Sequence, residues 1–160
     1  MSRTSFYLLL FCGLIVANIY LYEKIFASPV LEVSVRTAGK GSVTIVRTPH
    51  HQTLLIDTGS DASILRALGE VLPPWQRNID TVVLTGDKTS FTGGLSTIKS
   101  RYRIPDPLVI GGVAASYGSQ LTFDTTTLIT VIAPGTFTIS HGSASLLISS
   151  STEPRTYVLK

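Results

Sequence analysis

Between Ser5 and Tyr22 the chain reads SFYLLLFCGLIVANIYLY, eighteen residues without a charge. As a helix rising ~1.5 Å per residue, such a run reaches about 27 Å, close to one bilayer core. A run of this length reads as a candidate bilayer span. It therefore divides the chain into an N-terminal transmembrane anchor, residues 1–27, and one domain, residues 28–160. Tyr20, Tyr22 and Phe26 suit the interfacial aromatic belt. The competing reading is a cleaved signal peptide. Its apolar core is shorter, about 7–15 residues, and Ile25-Phe26-Ala27 makes a poor cleavage site. Arg3 precedes the run, whereas Glu23 and Lys24 cancel after it. The positive-inside rule then gives a single-pass protein with a cytoplasmic N-terminus and its domain outside the cytoplasm. Cys12, within the run, reads as a small buried residue.

The domain is neither disordered nor stapled. Hydrophobic residues make up 44% of the 160 and charged ones 14%, too apolar for a chain that stays unfolded. A single Cys excludes an internal disulfide framework and a Cys-based zinc cluster. Thirteen basic against ten acidic residues give +3, too little to imply nucleic acid or an anionic membrane unless the charges cluster.

Three alternating or apolar runs open the domain: LEVSVR (31–36), VTIVRT (43–48) and TLLID (53–57). Gly39-Lys40-Gly41-Ser42 and Pro49 to Gln52 punctuate them, and the pattern predicts an antiparallel meander. The period then changes. In ASILRALGEVL, Ile64, Leu65, Leu68, Val71 and Leu72 share one helical face, with Ser60 or Asp61 as the expected cap and Pro73-Pro74 as the stop. DTVVLT (80–85) reads as a buried strand, GDKTSFTGG (86–94) as a loop, Leu95–Tyr102 as a second helix and PLVIGG (107–112) as a short strand. Further short runs, LTF (121–123), LITVIA (128–133), SLLIS (145–149) and TYVL (156–159), sit among Gly, Thr and Ser connections and read as strands. This order predicts an α/β fold with a mixed sheet and helices on one face. Trp75, after Pro73-Pro74, is expected to pack beneath the helix end.

Several of these segments resemble the metallo-β-lactamase-like domain of the competence protein ComEC family. LEVSVRTAGKGSVTIVRTP, TLLIDTGSDASILRALGEVLPPWQRNIDTVVLT and FTGGL carry the resemblance, densest over residues 31–112 and weak to about residue 149. Gly39-x-Gly41, Asp57-x-Gly59 and Gly93-Gly94-Leu95 fall where that family has turn glycines. The resemblance implies an αββα sandwich with a two-metal site. The family's strand ending VVLT is followed by T-H-x-H-x-D-H-x-G-G. Here the stretch reads Thr85-Gly86-Asp87-Lys88-Thr89-Ser90-Phe91-Thr92-Gly93-Gly94, without a gap. The ligand positions thus hold Gly86, Lys88, Ser90 and Phe91, and the acids flanking the early glycine turn are Thr37 and Ser42. The bridging Asp and further His expected in the second half have no counterpart after Ile148, so that half is expected to be incomplete.

Chemistry points the same way. Gly and Phe offer no donor atom, and an ammonium at ligand distance repels a dication. The segment is therefore expected to be a degenerate, vestigial pocket formed by Asp57, Gly59, Gly86, Asp87, Lys88, Ser90 and Phe91, with no cofactor. The functional expectation is a membrane-anchored pseudoenzyme, a binding or scaffold element that the resemblance links to DNA uptake. It would work with a protein partner or a second copy through a partly open sheet face. The alternatives are a metal-dependent hydrolase or nuclease with other ligands, drawn from His50, His51, Asp57 and Asp61, or one half of a split protein. Lys99, Arg101 and Arg103 with Tyr102 form the one basic cluster, where nucleic acid could be held by charge and Tyr102 could stack on a base. The dull readings of these features are a helix-cap role for Asp57, an exposed hairpin turn for His50-His51 and a helix-dipole role for the cations. Ser140-His141 lacks the spacing of a hydrolase pair.

Overall fold

The computed structural model describes residues 3–26, 30–111, 115–149 and 152–159. The N-terminal run forms a helix, α1 (Arg3–Phe26). Its described side chains from Tyr7 to Leu21 are all exposed, including Cys12. Among the described residues no helix is long and apolar enough to cross a membrane. The helical character of the run is therefore found, but its transmembrane role is not carried by the structure.

The domain is built on a six-stranded mixed sheet in the order β10-β1-β2-β3-β4-β5. Its strands are β1 (Leu31–Ala38), β2 (Gly41–Arg47), β3 (Thr53–Ile56), β4 (Thr81–Leu84), β5 (Leu108–Val109) and β10 (Thr156–Leu159). β1, β2 and β3 form the expected antiparallel meander, while β3, β4 and β5 run parallel. Parallel neighbours need crossovers, and the helices α2 (Ile64–Val71), α3 (Thr89–Thr92) and α4 (Leu95–Lys99) lie in them.

Side-chain alternation explains why β3 and β4 are apolar after their first residue and why β2 carries apolar residues at Val43, Ile45 and Val46. Val43, Ile45, Leu55, Val82 and Leu84 pack on the helix side with Ile64, Leu68 and Ile98. Val46, Leu54, Ile56 and Val83 point the other way into a second core. A strand covered on both faces loses its polar positions. The second core is closed by a four-stranded antiparallel sheet in the order β6-β7-β8-β9, made of β6 (Gln120–Thr122), β7 (Thr127–Ala133), β8 (Thr136–His141) and β9 (Ala144–Ile148). It contributes Ile129, Val131, Phe137, Ile139 and Ile148. The domain is thus a two-sheet α/β sandwich with helices outside one sheet.

Several sequence expectations need correction. β8 was expected as a connection, because its Thr and Ser mask the inward alternation of Phe137 and Ile139. No helix follows β5 among the described residues, so the outer layer of an αββα sandwich on the second sheet is not seen there. The open face is also less apolar than expected. Thr130, Thr136, Thr138 and Ser140 are half-buried and Ser145 is exposed, beside Ile132 and Leu147. The N-cap residue of helix α2 is Ser63, not Ser60 or Asp61, and its side chain makes no cap hydrogen bond. Asp61 Oδ1 instead accepts the Ser63 N–H at 2.9 Å. Helix α4 ends at Lys99, short of Tyr102, and the loop at 86–94 contains α3. Trp75 does not pack beneath α2 but is 80% exposed.

Candidate functional site

The carboxyl ends of β3 and β4 meet the β1–β2 turn and the β7–β8 turn at one end of the sandwich. Asp57 follows β3 in the left-handed region, at φ 59°, a conformation Asp tolerates better than most residues. Its side chain is buried. Thr85, directly after β4, donates to it twice: the backbone N–H to Oδ1 and the hydroxyl to Oδ2, each at 2.7 Å. The same hydroxyl accepts the Gly135 N–H at 2.8 Å, and the Thr85 carbonyl accepts the Tyr117 hydroxyl at 3.1 Å. One threonine therefore ties both sheets together at the pocket floor. Burial pushes the Asp57 carboxyl up from 3.8 to about 6, against the two Thr85 hydrogen bonds, which lower it. The helix-cap role considered for Asp57 is replaced by this link to Thr85.

The segment from Gly86 to Phe91 forms the wall above. Gly86 is buried, and the Phe91 ring lies over its α-carbon: a Cβ there would stand 3.0 Å from Phe91 Cδ2 and 3.6 Å from Pro134 Cβ. Asp87 and Lys88 are exposed; Ser90 and Phe91 are half-buried. The Phe91 carbonyl accepts both the N–H and the hydroxyl of Thr58, each at 2.8 Å, fixing this wall to the segment after β3. Gly59, at φ 69°, and Gly41 permit the close approach. A Cβ on Gly59 would strike Ala38, and one on Gly41 would strike the Ser90 carbonyl.

The dinuclear metal site implied by the resemblance does not fit these residues. A side chain at position 86 would crowd the Phe91 ring, whose Cδ2 would stand 3.0 Å from its Cβ. Asp57, the buried carboxylate of the floor, is engaged on both oxygens by Thr85. Among the described residues no group of three or more His, Cys, Asp or Glu is placed to hold a metal ion. A two-metal centre needs several converging donors, and neither the Phe91 ring nor the Gly86 backbone beside Asp57 supplies one.

Beside this wall lies an open cleft of about 580 Å³ between the β1–β2 turn, the 88–91 segment and the 152–154 segment. Arg36, Lys40, Lys88, Ser42, Ser90 and Glu153 are among its lining residues. Arg36 Nε lies 3.5 Å from Glu70 Oε2, and its Nη2 donates to Thr156 Oγ1 at 3.2 Å. The Lys40 N–H donates to Ser60 Oγ at 2.8 Å, which holds the turn.

The other candidates lie elsewhere. His50 and His51 occupy the β2–β3 turn, at the end of β2 and β3 away from Asp57. The proposed metal set of His50, His51, Asp57 and Asp61 is therefore not brought together. His50 faces Asp124 instead, with Nε2 to Oδ2 at 3.8 Å. His141 Nδ1 shares a hydrogen bond with Thr127 Oγ1 at 3.0 Å. Lys99, Arg101 and Arg103 are exposed, but Tyr102 is 8% exposed and belongs to the helix-side core. The base-stacking role considered for Tyr102, beside the helix-dipole reading of its neighbours, is not available to a buried ring. The residues missed from sequence are Thr85, Gly135 and Tyr117. Nothing local marks them; the two-sheet packing gives them their roles.

No protein-family model matches the chain, and no curated protein matches it. Solved structures do. A metallo-β-lactamase of Cronobacter sakazakii with a HARLDQ motif is 17% identical at TM-score 0.50, over 68% of this chain and 55% of that one. A mutant of the HARLDQ-motif enzyme from the same organism is 15% identical at TM-score 0.50, over 76% of this chain and 60% of that one. The chain thus spans 55% and 60% of the lengths of these two structures. The domain has a metallo-β-lactamase-like fold.

Proposed function

We propose that this chain is a membrane-tethered, non-catalytic binding element built on a metallo-β-lactamase-like fold. The observation that carries the reading is the pocket floor: Asp57 is bonded on both oxygens to Thr85, and Phe91 covers Gly86. Metal-dependent hydrolysis needs an ion that lowers the pKa of a bound water and polarises the scissile bond. The residues at this floor supply neither the donors nor the room. The relation to the ComEC domain, and through it a place beside the machinery of DNA uptake, rests on the sequence resemblance and is an analogy of family.

The tether rests on the uncharged run from Ser5 to Tyr22 and on the exposure of Leu8, Leu9, Phe11, Leu14 and Ile19 along α1. Apolar side chains in such a continuous array are covered by lipid in this reading, with the domain outside the cytoplasm. A protein partner or a second copy binds the domain.

Hydrolysis assays test the reading. Purified full chain supplied with zinc or manganese should leave a phosphodiester reporter and a β-lactam reporter at the uncatalysed rate. Turnover that disappears on Asp57→Asn would reverse the conclusion.

A further inference from the structure

We propose that the cleft between the β1–β2 turn and the 88–91 segment binds a phosphate-bearing small molecule directly, through Lys40 and Lys88, without a metal. The inference deepens the binding reading above and rests on it.

Three cations line this cleft, Arg36, Lys40 and Lys88, against one carboxylate, Glu153. Arg36 is engaged by Glu70 and Thr156. Neither Lys40 nor Lys88 makes an ion pair among the described residues, and both are exposed. Two ammonium groups on one concave wall repel each other and focus a positive potential there, which an anion relieves. Ser42 and Ser90 line the same wall, and their hydroxyls are available as neutral donors. Cations together with short hydroxyl donors match the many oxygens of a phosphate group. The volume of about 580 Å³ lies in the small-molecule range and exceeds what a lone phosphate fills. The expected ligand therefore carries a phosphate or pyrophosphate on a larger body.

The wall itself is rigid. The Lys40 N–H is bonded to Ser60, and the carbonyl of Lys88 accepts the N–H groups of Phe91 at 2.8 Å and Thr92 at 3.2 Å. The two ammonium groups thus extend from backbone already fixed in place. A lysine in a metal-ligand position is an obstacle to a dication, but it is a direct ligand for an anion.

Calorimetric titration of the full chain in detergent micelles with inorganic pyrophosphate, at low ionic strength and with a chelator present, tests this. Binding should saturate, and Lys40→Ala and Lys88→Ala should each weaken it about tenfold. Glu153→Gln should tighten it severalfold. Arg101→Ala with Arg103→Ala, away from the cleft, should leave it unchanged. Citrate should bind much more weakly than pyrophosphate. Both lysines are exposed, so unchanged melting curves of the variants show that the fold is kept. Absence of saturable binding, or binding indifferent to both lysines, overturns the proposal while leaving the non-catalytic reading in place. Binding that needs added zinc or manganese and vanishes with chelator overturns both.

Discussion

Replacing Asp57 with Asn should remove a pH dependence of stability between about pH 4 and pH 6. Burial raises the carboxyl of Asp57 from 3.8 to about 6. An acid whose pKa is higher in the folded than in the unfolded chain takes up its proton first in the folded state. Its favourable contribution is fully present below about 3.8 and is lost as pH rises through about 6. The rise corresponds to ~3 kcal/mol. Asn is the close mimic of the neutral acid: its Oδ1 can still accept the Thr85 N–H, and Asn tolerates the positive φ of this position. The two proteins should therefore have similar stability near pH 4, with the variant more stable by ~3 kcal/mol at pH 7. Urea denaturation of both chains at pH 4, 5, 6 and 7 measures the difference directly. Parallel curves would show that Asp57 is not buried as a carboxyl held above its ordinary pKa. A wild-type advantage that grows with pH through this window would have the sign of a carboxylate stabilised by a cation.

Other perturbations read the same end of the molecule. Thr85→Val leaves the Gly135 N–H and one Asp57 oxygen without their buried partner, and should cost about 1–3 kcal/mol in denaturant melts. Gly86→His must displace the Phe91 ring and should destabilise by ~1–3 kcal/mol, with Phe91→Ala in the same chain restoring much of the loss. If α1 is the tether, deleting residues 1–27 should move the protein from the carbonate-resistant membrane fraction to the supernatant; an unchanged distribution would remove the anchor from the account.

The parts of the fold that could be read from sequence were those with one dominant periodicity. The alternation in LEVSVR and the apolar TLLI and TVVL runs placed β1, β3 and β4, because strands covered on both faces show it directly in composition. β8 escaped because alternation of Thr and Ser with Phe137 and Ile139 resembles a turn-rich connection until its partners β7 and β9 are known. At the site, Gly86, Lys88 and Phe91 were visible as residue types that offer a dication no ligand. That Phe91 covers Gly86, and that Lys40 shares a cleft with Lys88 almost fifty positions later, depends on how the β1–β2 turn meets the segment after β4. Tyr102 misled for the opposite reason: its charged neighbours suggest exposure, while its ring closes the helix-side core.

Thermal unfolding of the full chain with and without zinc, added at increasing concentration, shows whether the pocket beside Asp57 holds a metal ion. A native site saturated at one hundred times its Kd would add about 2.7 kcal/mol of stability. A floor without a metal site gives no such gain for the wild type, and the same melting temperature for Asp57→Asn whether or not zinc is present. A zinc-dependent rise in the wild type that is lost in Asp57→Asn would contradict this reading of the floor.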